Sequence, residues 1–437
     1  MSGFSKNLVV TVLLLFSRLL EAAAFEEVVS IAVANSPDVL QARNQQLAIA
    51  GEVRQAEAGY LPTIDLNAGI GYEYTDSPST RPNDDEELER AEFGLSLRQN
   101  IFNGLATEAE VERQQARLET AEHRLLATAN DVALSVSEEY LNVLKFREIL
   151  DLAQENRQVH QRIQDQIRLR SEAGVGRGAD YDQINARVSL VEANLVAANV
   201  NLQDAETGYK RVVGQEPEEQ MAAVPDLSQL IPATLEEALA LSESGNFTYK
   251  SSASDVLEAQ AQHKASRSNH YPTVDFELSS NLNNDLDGTD GYNNDVTAML
   301  RLRYNLYNGG ADVAAISSTA NRVLESQEIR NRSYRQVEQT LRLAWAAYQA
   351  TTRQIELLQK QVDYSIDTRD AYVKQFNIGQ RTLLDLLITE NELFQAKQSL
   401  VSARTDNLFA QYRILAVMGR IVESINVNLA KVLPAAQ

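Results

Sequence analysis

The chain contains no cysteine in 437 residues. That removes disulfides, thiolate metal sites, cysteine nucleophiles and a lipidated N-terminal Cys. An exported protein does without disulfides when its core is large enough. Tryptophan occurs once and methionine four times, against a hydrophobic content of 44%. The core must therefore be built from Ala, Leu and Val, the residues of closely packed helices. Basic charge is also short: 40 Lys and Arg face 61 Asp and Glu, a net charge of −21. Nucleic-acid phosphates require an excess of Lys and Arg, so nucleic acid is not a partner, and simple attachment to anionic lipid is excluded with it. Beyond the first residues no apolar run approaches the ~18 residues of a spanning helix.

Glycine and proline are missing from two long stretches, Leu105 to Ala173 and Ala311 to Ile378. Both are rich in Ala, Leu, Glu, Gln and Arg, the strongest helix formers. In the first, Val132, Val136, Tyr140, Val143, Leu144, Ile149, Leu152, Ile163 and Ile167 recur at helical spacing. A continuous helix of that length is roughly 100 Å long at 1.5 Å per residue. Helices so long belong to coiled coils or helical barrels. Two such rods point to one elongated unit, although a length prior alone suggests two or three domains.

Residues 1–24 read as a secretory signal. Lys6 is the positive end, Leu8 to Phe16 the short apolar core, and Ala22-Ala23-Ala24 a small-residue cleavage site. The competing reading is a short amphipathic N-terminal helix. A helical stretch over about Glu26 to Ala58 follows, broken at Asn35-Ser36-Pro37, because the residue before Pro is pushed out of the α region.

Alternation then begins. Leu66, Ala68, Ile70, Tyr72 and Tyr74 fall on one face, and Asn67, Gly69, Gly71 and Glu73 on the other. This spacing predicts a strand over about 62–75. After a loop with two Pro and an acidic run, a second strand is expected over about 91–102. The first rod (about 104–173) leads into Gly174-Val175-Gly176-Arg177-Gly178-Ala179-Asp180, a tight turn. A return helix over about 180–214 and a Pro-bearing connector, 215–233, close the first half.

From Thr234 the plan recurs. Tyr271-Pro272-Thr273-Val274-Asp275-Phe276 answers Leu61-Pro62-Thr63-Ile64-Asp65-Leu66 at an offset of 210. Leu302-Arg303-Tyr304-Asn305-Leu306-Tyr307-Asn308-Gly309 answers Leu97 to Gly104 at 205, as Gly379 answers Gly174 and Gly419 answers Gly214. The offset changes only across the strand–strand loop, where length changes are tolerated. The chain is two repeats, 25–233 and 234–437. The second carries strands over about 272–283 and 295–307, a long helix over about 310–378 and a return helix over about 383–419.

Strands of about ten residues, apolar on one face and polar on the other, fit a transmembrane β-barrel with a wet interior. Strand patterning by itself fits a half-buried soluble sheet equally well; the leader, the Tyr residues near strand ends and the acidic loops favour the membrane. Four strands are too few to close a barrel, whose lower practical size is about eight. Open edges in lipid cost several kcal/mol per unpaired group. Each subunit must therefore lend its strands to a shared barrel, and a conduit needs about 12 or more in total. Chain physics does not choose between three and four subunits.

The doubled plan resembles the TolC family of outer-membrane channel proteins. The motifs that carry the resemblance are Gly-Tyr-Leu-Pro-Thr-Ile-Asp-Leu (59–66) with Tyr-Pro-Thr-Val-Asp-Phe (271–276), Asn-Ile-Phe-Asn-Gly (100–104) with Asn-Leu-Tyr-Asn-Gly-Gly (305–310), and Ile-Gly-Gln-Arg-Thr-Leu-Leu-Asp-Leu-Leu (378–387). They occur in order and in duplicate across residues 25–420. The resemblance implies an α+β membrane protein with four transmembrane β-strands and very long periplasmic α-helices per subunit. It implies a homotrimer in which a 12-stranded β-barrel is continuous with an α-helical barrel, girdled by a mixed belt from the segments near 26–58, 215–260 and 420–430. It implies location in the outer membrane of a Gram-negative bacterium, contact with outer-membrane lipid, and docking through a periplasmic adaptor on an inner-membrane ABC or other pump. No cofactor is implied.

The family's gate lies at the periplasmic tip, where acidic side chains ring the entrance. By resemblance Asp385 is a ring aspartate and Arg381 a basic gate residue, with Gly174, Gly176 and Gly379 in the tip turns. The second acidic position holds Ile388, and Phe376 stands where a Tyr hydroxyl would make a further link. In the first hairpin, counting from Gly174 makes Asp180 the counterpart of Asp385; counting back from Asn185-Ala186 makes it Asp182. Three aspartates around a three-fold axis would raise one another's pKa and attract cations. The plain alternative is that Asp180 and Asp385 cap their helices.

Catalytic patterns are missing. His123, His160, His263 and His270 are scattered, with no His-Glu-x-x-His. The Gly174–Gly178 stretch follows a helix and lacks the Lys-Ser/Thr ending of a phosphate loop. Residues 283–294 begin like a calcium loop but end on Asn294 instead of Glu, and read as a solvated outer loop. The chain is expected to be no enzyme but a passive conduit, serving type I protein secretion or, alternatively, small-molecule efflux. A periplasmic coiled-coil scaffold is the remaining reading.

Overall fold

The computed structural model describes residues 25–76, 78, 87–174 and 177–428. The expected leader, the centre of the acidic loop and Gly176 lie outside the described residues. The helices are α1 (Phe25–Asn35), α2 (Pro37–Glu57), α3 (Ala106–Glu172), α4 (Gly178–Val213), α5 (Leu235–Gly245), α6 (Phe247–Ser266), α7 (Ala311–Asn377), α8 (Leu383–Val417) and α9 (Ile421–Ser424). The strands are β1 (Thr63–Tyr74), β2 (Glu87–Phe102), β3 (Thr273–Leu286) and β4 (Thr289–Arg303). Both long helices, α3 and α7, count 67 residues. α1 and α2 are separated by Ser36 alone, and Pro37 opens α2 at the position where its missing N–H costs nothing.

The chain divides into two compact units, and each draws on both sequence repeats. One holds the described residues of Met1–Ala42, Leu125–Phe247 and Tyr334–Gln437. Its aromatic core centres on Phe25, whose ring meets Tyr140 at 5.0 Å and Tyr412 at 5.7 Å, both edge-on. These side chains also fasten the Pro-bearing connector. The Tyr140 hydroxyl donates to the Ala222 carbonyl at 2.8 Å, and that of Tyr412 to the Pro225 carbonyl at 2.9 Å. The Leu227 N–H donates to Gln411 Oε1 at 2.9 Å. A segment without regular structure thereby satisfies backbone groups that burial would otherwise penalise.

The other unit, Arg43–Arg124 with Thr248–Ser333, contains the sheet. Its order is β1-β2-β3-β4, antiparallel throughout. Residues 283–294, expected as a loop, instead complete β3 and β4 around Asp287-Gly288. Both turn residues have positive φ, 53° and 74°, which is what a two-residue type I′ hairpin demands and Asp-Gly supplies. The incomplete calcium pattern was turn chemistry. The last strand, expected to reach about 307, stops at Arg303, whereas β2 continues to Phe102 by pairing with β3. The difference is one of neighbours: β4 has none on its outer side within the chain.

Candidate functional site

Two regions bear on function: the sheet in one unit and the ends of the helical hairpins in the other. Register sorts the sheet into two faces. Ile64, Leu97, Leu278 and Ala298 lie in one row, followed by Leu66, Leu95, Ser280 and Val296, then Ala68, Phe93, Leu282 and Asn294. This face is uncovered; Ile70 is 91% and Val296 75% exposed. Apolar side chains so open to their surroundings mark a surface made for lipid or protein. The opposite face carries Asp65, Arg98, Asp275, Glu277, Arg301 and Arg303. Asp275 is only 1% exposed and is held by Arg98 at 2.8 Å, by the Asn100 amide at 2.9 Å and, farther off, by Arg303 at 3.8 Å. Glu277 pairs with Arg301 at 2.8 Å and Arg303 at 3.3 Å. Near the far end of the strands Arg90 binds Glu73 at 2.6 Å and also contacts Glu92.

The hairpin ends are built around a shared apolar cluster. Ile163 and Ile167 of α3, Ile184 and Val188 of α4, Phe376 of α7, and Leu383, Leu386 and Leu387 of α8 are buried together. Gly174 and Gly379 end the long helices at φ 71° and 79°. At Gly379 the Gln380 N–H reaches back to the Gln375 carbonyl at 2.9 Å, the six-to-one bond of a Schellman end that needs a residue free to be left-handed.

Asp385 is the third residue of a capping box whose N-cap is Thr382. Thr382 Oγ1 accepts from the Asp385 N–H at 3.2 Å, and Asp385 Oδ2 accepts from the Thr382 N–H at 3.2 Å and hydroxyl at 2.9 Å. This reciprocal box satisfies donors that a helix start leaves open. The Thr382 bonds, aided by Arg381, hold the carboxyl below its ordinary pKa. Arg381 lies 3.9 Å from that carboxylate, donates to Gln375 Oε1 at 3.0 Å, and stacks on Tyr372 at 4.2 Å.

The first hairpin lacks this arrangement. Its N-cap is Arg177, which supplies no side-chain bond. Asp180 stands three residues past the cap, as Asp385 does past Thr382. Asp182 is two residues deeper and exposed. Neither side chain makes a hydrogen bond or ion pair among the described residues.

The cross-links between hairpins sit where the pattern of residue types gave no pointer. Phe376 is buried, with the Arg170 guanidinium 4.9 Å over its ring. The polar link is one residue along, Gln166 Nε2 to Asn377 Oδ1 at 3.3 Å. A second joins Lys397 to Glu155 at 3.1 Å. Glu390, 6% exposed, lies on the buried side of α8, 3.7 Å from Arg369. Burial pushes its carboxyl up from the usual range, and Arg369 opposes that. A carboxylate three and four residues past Leu387 and Leu386 on an apolar stripe was the available signal.

A family model described as "Outer membrane efflux protein" matches residues 28–215 and 240–420. The chain is 24% identical to the outer membrane efflux protein BepC of Brucella suis, over 78% of this chain and 75% of BepC. It is 24% identical to outer membrane protein TolC of Escherichia coli, over 93% and 84%. It is also 24% identical to the proteases secretion protein PrtF of Dickeya chrysanthemi, over 87% and 84%. The solved structure of outer membrane protein VceC from Vibrio cholerae superposes with a TM-score of 0.79 at 16% identity, covering 91% of this chain and 96% of that one. With the doubled plan and a sheet whose apolar face is uncovered, these matches make the chain a member of the TolC family of outer membrane efflux proteins, a channel component of the outer membrane and not an enzyme.

Proposed function

We propose that this chain is one of three identical subunits of a passive exit duct. Their sheets close a 12-stranded β-barrel continuous with a helical barrel. The duct docks through a periplasmic adaptor on an inner-membrane pump and carries polypeptides in type I secretion. The observation that carries the duct is the four-stranded sheet with two open edges and one uncovered apolar face. In lipid those edges must pair, and a second copy is the partner with matching strands. The secretion reading is supported by the likeness to PrtF, whose name states protease secretion. Small-molecule efflux is the second reading, favoured by the likeness to BepC. Surface and culture-medium proteins of parent and deletion strains separate the two. Loss of one large external protein with its retention inside is expected for secretion. Unchanged proteins with raised drug susceptibility would overturn it in favour of efflux.

At the hairpin ends we assign the constriction to Asp385, Arg381 and Asp180, with Asp182 as the other candidate of the first hairpin. Asp180 is preferred because it occupies the same helix position as Asp385. The test is block of single-channel current by multivalent cations. Asp180→Asn alters charge without touching a cap and is expected to weaken the block. Asp385→Asn should weaken it too, whereas Thr382→Ala, which removes the cap and keeps the charge, should not. Equal block in all three would remove the aspartates from the constriction.

A further inference from the structure

The repeat gives each aspartate of the Pro-Thr-x-Asp motif an equivalent: Asp275 on β3 and Asp65 on β1, at an offset of 210. Their surroundings differ completely. Asp275 is buried because the neighbouring hairpin's strand, β2, delivers Arg98 and Asn100 to it. Asp65 is exposed and makes no hydrogen bond or ion pair among the described residues. The residues that would serve it by the same rule are the repeat equivalents of Arg98 and Asn100, at an offset of 205: Arg303 and Asn305. They lie on β4 and just past its end, at the opposite edge of the sheet from β1.

A second observation points the same way. β2 runs four residues beyond Arg98, to Phe102, because β3 pairs with it there: Gln99 with Phe276, Asn100 with Asp275, Phe102 with Val274. The equivalent residues after Arg303 have no strand beside them and leave the sheet. Leu306 and Tyr307 are 86% and 83% exposed, where their equivalents Ile101 and Phe102 are 60% and 36%. One edge of the sheet thus holds a carboxylate with no described donor beside it, and the other holds Arg303, already 3.3 Å from Glu277, with Asn305 on an unfinished strand.

We infer that Asp65 is the intersubunit counterpart of Asp275: it receives Arg303 and Asn305 from a second copy of this chain and sets the register of the closing seam. This rests on the shared barrel proposed above. Transferring the β2–β3 register by the two offsets pairs Tyr304 with Leu66, Asn305 with Asp65 and, past a bulge at Leu306, Tyr307 with Ile64. Farther along it pairs Leu302 with Ala68, Leu300 with Ile70 and Ala298 with Tyr72. Every outward residue then meets an outward residue, so the apolar face crosses the seam unbroken. A slip of one residue would turn a whole strand's side chains to the wrong face. The charge-assisted bonds to a carboxylate, shorter and stronger than neutral ones, select among the slips of two that alternation permits.

The test exploits the absence of cysteine. In protein extracted from membranes, Leu66→Cys with Tyr304→Cys places the only two thiols opposite each other on the outer face, leaving Asp65, Arg303 and Asn305 intact. Oxidation is expected to give a covalent ladder ending at the closed oligomer. The shifted pairs Ile64→Cys with Tyr304→Cys and Ala68→Cys with Tyr304→Cys are expected to give at least tenfold less. Asp65→Asn should lower the dissociation temperature of the oligomer by several degrees while leaving subunit helix content unchanged. A ladder from a shifted pair, or an oligomer whose dissociation is indifferent to Asp65→Asn, overturns the seam assignment and leaves the shared barrel standing. A protein that runs as a monomer in mild detergent and gives no ladder with any pair overturns the shared barrel itself.

Discussion

The two hairpin ends occupy the same place in the repeat and solve the same problem differently. Each must turn a long helix back on itself with a left-handed glycine and start a new helix within a few residues. The second end does so with a complete capping box between Thr382 and Asp385, and with Arg381 fixed between Gln375, Tyr372 and the carboxylate. The first starts its helix on Arg177 with no side-chain cap and leaves Asp180 and Asp182 without described partners. Beneath both lies one apolar cluster to which all four helices contribute. The ends are unequal in local bonding and joined in burial. The aspartate three residues past the cap is therefore part of the helix start in one hairpin and without a described partner in the other.

The largest effect should come from the part they share. Leu387 is fully buried in that cluster, so Leu387→Ala should cost about 2–5 kcal/mol of local stability through lost contacts and a cavity. Leu384, 47% exposed one turn earlier, should tolerate the same change within about 0.5 kcal/mol. Amide exchange over residues 160–190 and 370–395 reads the outcome. Leu387→Ala should speed exchange in both hairpins. Acceleration confined to α8 would mean that the two ends are not one packed body.

How much of this could be read from the chain alone depends on what each feature's neighbours are. The rods, the strands and the offsets of 205 and 210 follow from local pattern, because helix and strand periods are properties of consecutive residues. The end of β4 did not, since Tyr304 to Tyr307 answer Gln99 to Phe102 but lack the strand that makes those residues part of the sheet. Asp385 was read in two ways, as the cap of its helix and, by resemblance, as a ring aspartate. The structure makes Thr382 the cap and Asp385 the third residue of its box, because the box depends on a reciprocal bond that reading one residue at a time does not show. Gln166 with Asn377, and Glu155 with Lys397, were not legible. Nothing in either residue type marks a partner more than 200 positions away.

The capping difference makes the next prediction, smaller and of opposite sign at the two ends. Thr382→Ala removes the box and should cost about 1 kcal/mol, the usual loss for such a cap. Arg177→Thr creates Thr-Gly-Ala-Asp at 177–180 and should stabilise the first turn of α4 by a similar or smaller amount, about 0.5–1 kcal/mol. Exchange protection of the amides of Asp180 and Asp385 is the measurement. If Arg177→Thr adds no protection, the missing cap is not what distinguishes the ends.

The smallest and most discriminating effect is in pH. Asp385 has its pKa held below the ordinary 3.8 by Thr382. The carboxylate therefore stabilises the fold above that value, and the contribution is lost as pH falls through the depressed pKa. Glu390, one turn later on α8, has its pKa raised above 4.5 by burial. Its contribution runs the other way, complete below 4.5 and lost as pH rises through the raised value. At pH 7 Asp385→Asn should loosen the start of α8, and Glu390→Gln should firm it by relieving a buried charge, in spite of the Arg369 guanidinium 3.7 Å away. Both differences from the parent should vanish on acidification: that of Glu390→Gln as the parent's Glu390 takes up its proton, that of Asp385→Asn only at still lower pH. Exchange rates over α8, followed from pH 7 downward, test this order. If Glu390→Gln instead destabilises α8 at pH 7, the pair with Arg369 outweighs desolvation, and Glu390 is a strut of the hairpin end.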